Sequence, residues 1–222
     1  MMSASTQLRN ADLILFDLDG TLVDSVPDIA NALNDMLTSQ ALPHASLEQV
    51  RNWIGNGARI LVDRALQHLQ HTVTEVPVFH GDQAFSLFLE AYHQRNGEHT
   101  LVFPHAIDLL EHYGETRKAI VTNKPEAHTH SLLHRLNLHH HFNWIAGGDT
   151  YPEQKPSPEP LLRLIELAGA ERPVLIGDSV NDVRAAKSAG IPVIGVSYGY
   201  NHGQPIQHEN PDWVVDSLAE LL

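Results

Sequence analysis

The stretch Leu13-Ile-Leu-Phe-Asp-Leu-Asp-Gly-Thr-Leu-Val-Asp24 decides how the rest of this chain is read. Four apolar residues, Leu13 to Phe16, run into two aspartates one residue apart and then a glycine. A short apolar run closed by a glycine reads as a buried parallel strand with a turn at its carboxyl end. Open α/β sheets hold their ligands at that end. Two carboxylates placed there repel each other, so packing alone does not account for them; a cation or a chemical role has to offset the cost. The pair Asp17–Asp19 suits a covalent mechanism in which one carboxylate attacks and its neighbour trades protons.

After this strand the period changes to helical. Ser25-Val-Pro-Asp28 has the form of a helix start: Ser25 as cap, Pro27 in the first turn, Asp28 near the positive end of the helix dipole. Val26, Ile29, Ala30, Leu33 and Leu37 follow at one-sided helical spacing. Ser46-Leu-Glu-Gln49 has the capping-box pattern before Val50 and Trp53, and Gly55-Asn-Gly57 breaks the chain. Ile60 to Leu69 resumes the helical pattern, and Asp82 to Gln94 predicts a further helix burying Phe85, Phe88, Leu89 and Tyr92. Positions 24–100 therefore read as a helical insert.

From Leu101 onward strands alternate with helices, the pattern of a parallel sheet. Strands are expected at 118–122, 143–146, 173–177, 192–196 and 213–215, with helices at 126–136, 161–167 and 182–189, the last stopped by Gly190. With Leu13 to Phe16 that makes six strands joined by right-handed crossovers. The expected fold class is α/β: a Rossmann-like parallel-sheet core formed by 1–23 and 101–222, and a small α-helical cap domain formed by 24–100.

Composition narrows the function. The 222 residues are 42% hydrophobic, enough for a packed core, and contain no cysteine, which removes disulfides and thiolate metal sites. Fourteen Lys and Arg against 27 Asp and Glu give a formal charge of −13, the wrong sign for a nucleic-acid partner. An acidic protein that handles an anion needs local positive charge, and a divalent metal supplies it. No run approaches the roughly 18 apolar residues needed to cross a membrane. The polar stretch Met1 to Asn10 lacks the layout of a secretion signal, so a soluble cytoplasmic protein is expected.

Polar groups recur at the strand ends, on one edge of the expected sheet. Asp17 and Asp19 follow the first strand, Thr122 and Asn123 the second. Lys155 lies in the loop Gln154-Lys-Pro-Ser-Pro158, and Asp178 and Asp182 bracket a turn after a later strand. Taken singly, each has a plain structural reading: a cap for Thr122 or Asp182, a solvated loop charge for Lys155.

In that order, Asp17-Leu-Asp-Gly-Thr21, Thr122-Asn123, Lys155 and Gly177-Asp-Ser-Val-Asn-Asp182 resemble the four motifs of the haloacid dehalogenase superfamily of phosphohydrolases, over the whole chain. The aspartate at position 19 is kept by the phosphate-transferring members and not by the dehalogenases. The resemblance implies that Asp17 is the nucleophile and Asp19 the acid and base. It implies a magnesium ion held by Asp17, the Asp19 backbone carbonyl and Asp178, with Asp182 supporting that shell and orienting Lys155. Thr122, the Asn123 amide and Lys155 would bind the phosphate oxygens. Trp53-Ile-Gly-Asn-Gly-Ala58, Arg64-Ala-Leu66, Val121-Thr-Asn-Lys-Pro125 and Tyr198-Gly-Tyr-Asn201 look like the phosphoglycolate phosphatase branch, much of which reads Tyr-Pro-Gly where this chain has Phe103-Pro-His105.

Within the insert, Gly55 and Gly57 would let the backbone approach a substrate. Arg59 and Arg64 are candidates for gripping a substrate carboxylate. The expected activity is magnesium-dependent hydrolysis of 2-phosphoglycolate, a small phosphorylated metabolite, by a monomer or homodimer. A β-phosphoglucomutase-like phosphotransferase and a pyrophosphatase or nucleotide phosphatase of the same superfamily stay open, and a non-catalytic binding module is the other class. His130 and His134, one helical turn apart, and His139-His-His141 form a cluster that reads as a hydrated surface, since no acidic partner completes a zinc motif.

Overall fold

The structure, a computed structural model, describes residues 2–72 and 81–222; positions 73–80, part of the expected insert, lie outside the described residues. The chain runs α1 (Ala4–Arg9), β1 (Leu13–Phe16) and β2 (Val23–Asp24), then the helices α2 (Val26–Ser39), α3 (Leu47–Trp53), α4 (Ala58–Thr72) and α5 (Gly81–Arg95), then β3 (Leu101–Val102). Next come α6 (Ala106–His112), β4 (Arg117–Val121), α7 (Glu126–Arg135), β5 (Trp144–Ala146) and α8 (Glu159–Ala168). β6 (Pro173–Gly177), α9 (Val180–Ala189), β7 (Val193–Val196) and β8 (Trp213–Val215) complete the order.

Six strands pair in parallel as β5-β4-β1-β6-β7-β8. β1 pairs with β4 on one edge and β6 on the other, so the strand order turns around β1, the place where such sheets bind ligands. Its apolar run is continuous because helices cover both faces. Ile14 and Phe16 join one core with Leu109, Leu132 and Ile176; Leu13 and Leu15 join the opposite core with Leu161, Val183 and Leu175. Each such side chain contributes roughly 1.5–3 kcal/mol by burial.

Helices α2 to α5, within the expected insert, gather around a third hydrophobic cluster, which Tyr200 also joins. Ile29, Leu33 and Leu37 of α2 pack with Val62 and Leu69 of α4 and with Phe88 and Tyr92 of α5, while Phe85 and Leu89 are only partly buried. α3 starts with the expected capping box: the Gln49 backbone N–H donates to Ser46 Oγ at 3.2 Å, and the Ser46 N–H donates to Gln49 Oε1 at 2.8 Å. Ser25 differs from expectation. It precedes α2 without capping it, because its hydroxyl donates to Asp19 instead.

The insert joins the core through an antiparallel ribbon that sequence periodicity did not suggest, pairing Val23 with Val102 and Asp24 with Leu101. Two-residue strands are too short to show a period. Beside it, fully buried Asp28 accepts from the backbone N–H groups of Gly97, His99 and Thr100 at 2.8–2.9 Å and from the Thr100 hydroxyl at 2.6 Å. One carboxylate at the start of α2 thus holds the returning chain.

Candidate active site

The carboxyl ends of β1, β4 and β6 deliver their polar residues into one pocket. Asp17 continues β1, its N–H still donating to Ile176 O at 2.9 Å. Gly20 turns the chain at φ 93°, and a Cβ there would stand 2.4 Å from Asp178 Oδ2. Only glycine lets the two loops close this tightly. Beyond β6, Asp178 accepts from the Tyr200 N–H at 2.7 Å and from the Thr21 hydroxyl at 3.3 Å.

Lys155 is buried, and its Nζ lies 2.7 Å from Asp17 Oδ1 and 2.5 Å from Asp182 Oδ1. Burial works against its charge, but the two carboxylates outweigh that and raise its pKa. Asp182 also accepts at Oδ2 from the Ser179 N–H and hydroxyl, so both its oxygens are engaged by the protein. It therefore serves at once as the helix-start acceptor of α9 and as the brace for Lys155. Burial pushes the Asp17 carboxyl up to about 6, with Lys155 opposing and Asp182 adding to the rise. Asp178 is raised for the same first reason, burial, with Asp17 and Asp182 adding repulsion.

Carboxylate oxygens of Asp17, Asp178 and Asp182 lie within 4.8 Å of one another, and among the described residues no other acid or histidine group converges this way. Four carboxylates gather at the pocket, counting Asp19 and the fully buried Asp182 on Lys155, against the ammonium groups of Lys155 and Lys124, a formal −2. A divalent cation fits that deficit. The Asp19 side chain does not join the cluster. It faces Lys124 Nζ at 2.9 and 3.1 Å and the Ser25 hydroxyl, which leaves only its backbone for a metal.

Thr122 and Asn123 are buried just beyond β4. The Asn123 amide donates to Lys155 O at 2.8 Å and crosses to the insert at Gly55 O, 2.9 Å away. Asn181 donates to the same carbonyl at 3.0 Å, and Gln154 donates to Asn56 O at 3.1 Å. Gly55, at φ 115°, can present its carbonyl to the core because it has no Cβ to strain. The Gly55-Asn56-Gly57 loop is thus seated on the core by three side-chain amides, with Gly55 and Gly57 lining the pocket.

Two expected residues are elsewhere. Arg64 donates to Trp53 O and to Asn56 Oδ1, both at 2.7 Å, so it splints the glycine loop from behind and does not line the pocket. The carbonyl that ends α3 and the Asn56 side chain together engage the guanidinium. Arg59 pairs with Asp82 at 2.7 Å and Asp63 at 3.5 Å on the exposed side.

Conversely, Lys124, Tyr92, Tyr200 and Asn181 all line the pocket without having been singled out as site residues. Lys124 lies in the Val121–Pro125 stretch, and its place directly after Thr122-Asn123 at the end of a strand was the available signal. Tyr92 carried only a helix-core signature. Burial opposes the Lys124 charge, but Asp19 and Tyr92 outweigh it and raise its pKa. The histidine cluster lies outside the pocket: His134 stacks on His139 at 4.0 Å, and His130 Nδ1 is 3.3 Å from His139 Nε2. His105 starts α6 in the left-handed region at φ 65°, a position that glycine fills without strain.

No helix of the described residues is long and apolar enough to cross a membrane. A phosphoglycolate phosphatase of Pseudomonas savastanoi pv. phaseolicola is 45% identical over 215 residues, covering 95% of this chain and 78% of its own. Phosphoglycolate phosphatase 1 of Pseudomonas aeruginosa is 46% identical over the same shares. The crystal structure of a predicted phosphoglycolate phosphatase from Haemophilus somnus superposes with a TM-score of 0.87 at 37% identity, covering 95% of this chain and 96% of its own. The model of the haloacid dehalogenase-like hydrolases matches residues 14–196, and the chain belongs to that family.

Proposed function

We propose that this chain is a magnesium-dependent phosphatase that hydrolyses 2-phosphoglycolate to glycolate and phosphate through an aspartyl-phosphate on Asp17. The observation that carries the reaction type is the buried Asp17 carboxylate, held by Lys155 at 2.7 Å with Asp19 two positions on. The relatives that bear the name phosphoglycolate phosphatase support the substrate.

Asp17 attacks phosphorus in line, forming a P–O bond as the bond to the glycolate oxygen breaks. Asp19 gives that oxygen a proton, then takes one from the water that attacks the acyl phosphate, so phosphate leaves and both carboxylates return to their starting state. Lys155, Thr122 and the Asn123 backbone N–H stabilise the charge spread over the phosphoryl oxygens. Asp182 keeps Lys155 in place between the two carboxylates. Asp17, Asp178 and the Asp19 backbone would hold magnesium, which when bound supplies charge neutralisation at the phosphate.

The test is phosphate release from a panel of phosphomonoesters, pyrophosphate and nucleotides, with magnesium or with EDTA. The highest kcat/KM is expected for 2-phosphoglycolate, with activity lost in EDTA. A higher value for a nucleotide or pyrophosphate, or transfer that regenerates a sugar bisphosphate without net phosphate release, overturns the assignment.

A further inference from the structure

We propose that Lys124, together with the Tyr92 hydroxyl, is the receptor for the carboxylate of the substrate; this rests on the 2-phosphoglycolate reading above. A doubly charged phosphate and a carboxylate one methylene apart need two separate cationic contacts. Among the described residues lining the pocket, the cations are Lys155 and Lys124. Lys155 is committed to the phosphate end, between Asp17 and Asp182. Apart from the Gly55 and Gly57 backbone and the Tyr92 hydroxyl, the wall contributed by α2 to α5 is apolar, with Ile29, Ile54, Ala58, Leu61 and Phe88, and neither Arg59 nor Arg64 lines it.

Lys124 also stands at the correct end. Its Nζ meets both oxygens of Asp19, the residue that serves the leaving oxygen, and it meets the Tyr92 hydroxyl. In a glycolate leaving group the carboxylate carbon is two bonds from that oxygen. A cation hydrogen-bonded to Asp19 is therefore within reach of it. The ammonium carries three donors, here shared among Asp19 and Tyr92, so one can pass to the incoming carboxylate while another keeps Asp19 in place. Tyr92 is held between Phe88, stacked at 5.6 Å, and His128, stacked at 5.2 Å, and its ring lies 4.9 Å from Lys124 Nζ. Lys124 comes from the core and Tyr92 from α5 of the insert, so the receptor is complete only with the insert seated on the core.

The test compares 2-phosphoglycolate with ethyl phosphate, which has the same kind of alkoxide leaving group and no carboxylate. The parent should prefer 2-phosphoglycolate. Lys124→Met should lose on the order of 10- to 100-fold more kcat/KM on 2-phosphoglycolate than on ethyl phosphate, and Lys124→Arg should keep part of the preference. Equal losses on both esters would mean that the lysine acts only through Asp19, which overturns this inference while the parent's preference leaves the assigned function standing. A parent without that preference overturns the function and the inference with it. Should Lys124→Met fail to fold, Tyr92→Phe is judged by the same ratio: a loss confined to 2-phosphoglycolate upholds the receptor, and equal losses overturn it.

Discussion

Raising the pH of the metal-free protein from about 4 to about 7 should remove stability that magnesium restores. The reason is Asp17, whose carboxyl burial lifts from 3.8 to about 6, Lys155 opposing and Asp182 adding. Below 3.8 the folded and unfolded chains both hold that proton. As pH rises the unfolded chain releases it first, and stability falls until the folded group has also ionised, near pH 6. At about 1.4 kcal/mol per pKa unit the loss is about 3 kcal/mol. For a chain of this size that is a melting-temperature change of roughly 6–12 °C. Asp178, raised in the same direction, adds to it. Under the proposed function magnesium would bind the ionised carboxylates, so its stabilising increment should be small at pH 5 and grow through pH 6 to a plateau near 7.5. The assay is circular-dichroism melting at stepped pH in EDTA and in excess magnesium. An increment independent of pH, or larger at pH 5 than at 7.5, would refute the reasoning.

Arg64→Ala should lower kcat/KM for 2-phosphoglycolate and for p-nitrophenyl phosphate by similar factors, on the order of tenfold, because it releases the loop that carries Gly55; a loss confined to 2-phosphoglycolate would restore it as a substrate ligand. Lys155→Met should abolish turnover and destabilise the metal-free protein by about 3–5 kcal/mol, since two buried carboxylates lose their shared cation; denaturant unfolding with and without magnesium reads it, and an unchanged midpoint in EDTA would count against the pairing. His105→Gly should raise stability by up to about 1 kcal/mol by relieving left-handed strain, with kinetics on 2-phosphoglycolate unchanged. A lower melting temperature would show that the exposed contact of His105 Nδ1 with Asp108 Oδ2, at 3.0 Å, matters more than the backbone.

The sheet was legible because its strands are continuous apolar runs ending in polar residues. Leu13 to Phe16 and Pro173 to Gly177 coincide with β1 and β6. Asp17, Lys155, Asp178 and Asp182 were legible as a set because they fall at strand ends or in the segments that follow them, and the fold brings them together through β1, β6, the start of α9 and the loop before α8. The insert's contribution was not. Arg64 carries a charge that suits a carboxylate, but whether a guanidinium faces a pocket or a neighbouring carbonyl depends on loop geometry, which no spacing encodes. Lys124 and Tyr92 were hidden for the opposite reason. One sits just past a strand end, where a lysine side chain can as well be solvated as buried, and the other has the spacing of an ordinary core tyrosine. The turn of Ser25 toward Asp19 in place of α2 is a contact between distant segments of the fold that a local capping pattern cannot reveal.

The central claim is that Asp17 becomes phosphorylated. Mixing excess enzyme with phosphate-labelled 2-phosphoglycolate and magnesium, quenching in acid within the first turnover and mapping peptides tests it directly. The account predicts transient label on the peptide carrying Asp17, released by hydroxylamine and absent from Asp17→Asn. Free phosphate appearing without any protein-bound label, or label on another residue, would contradict it.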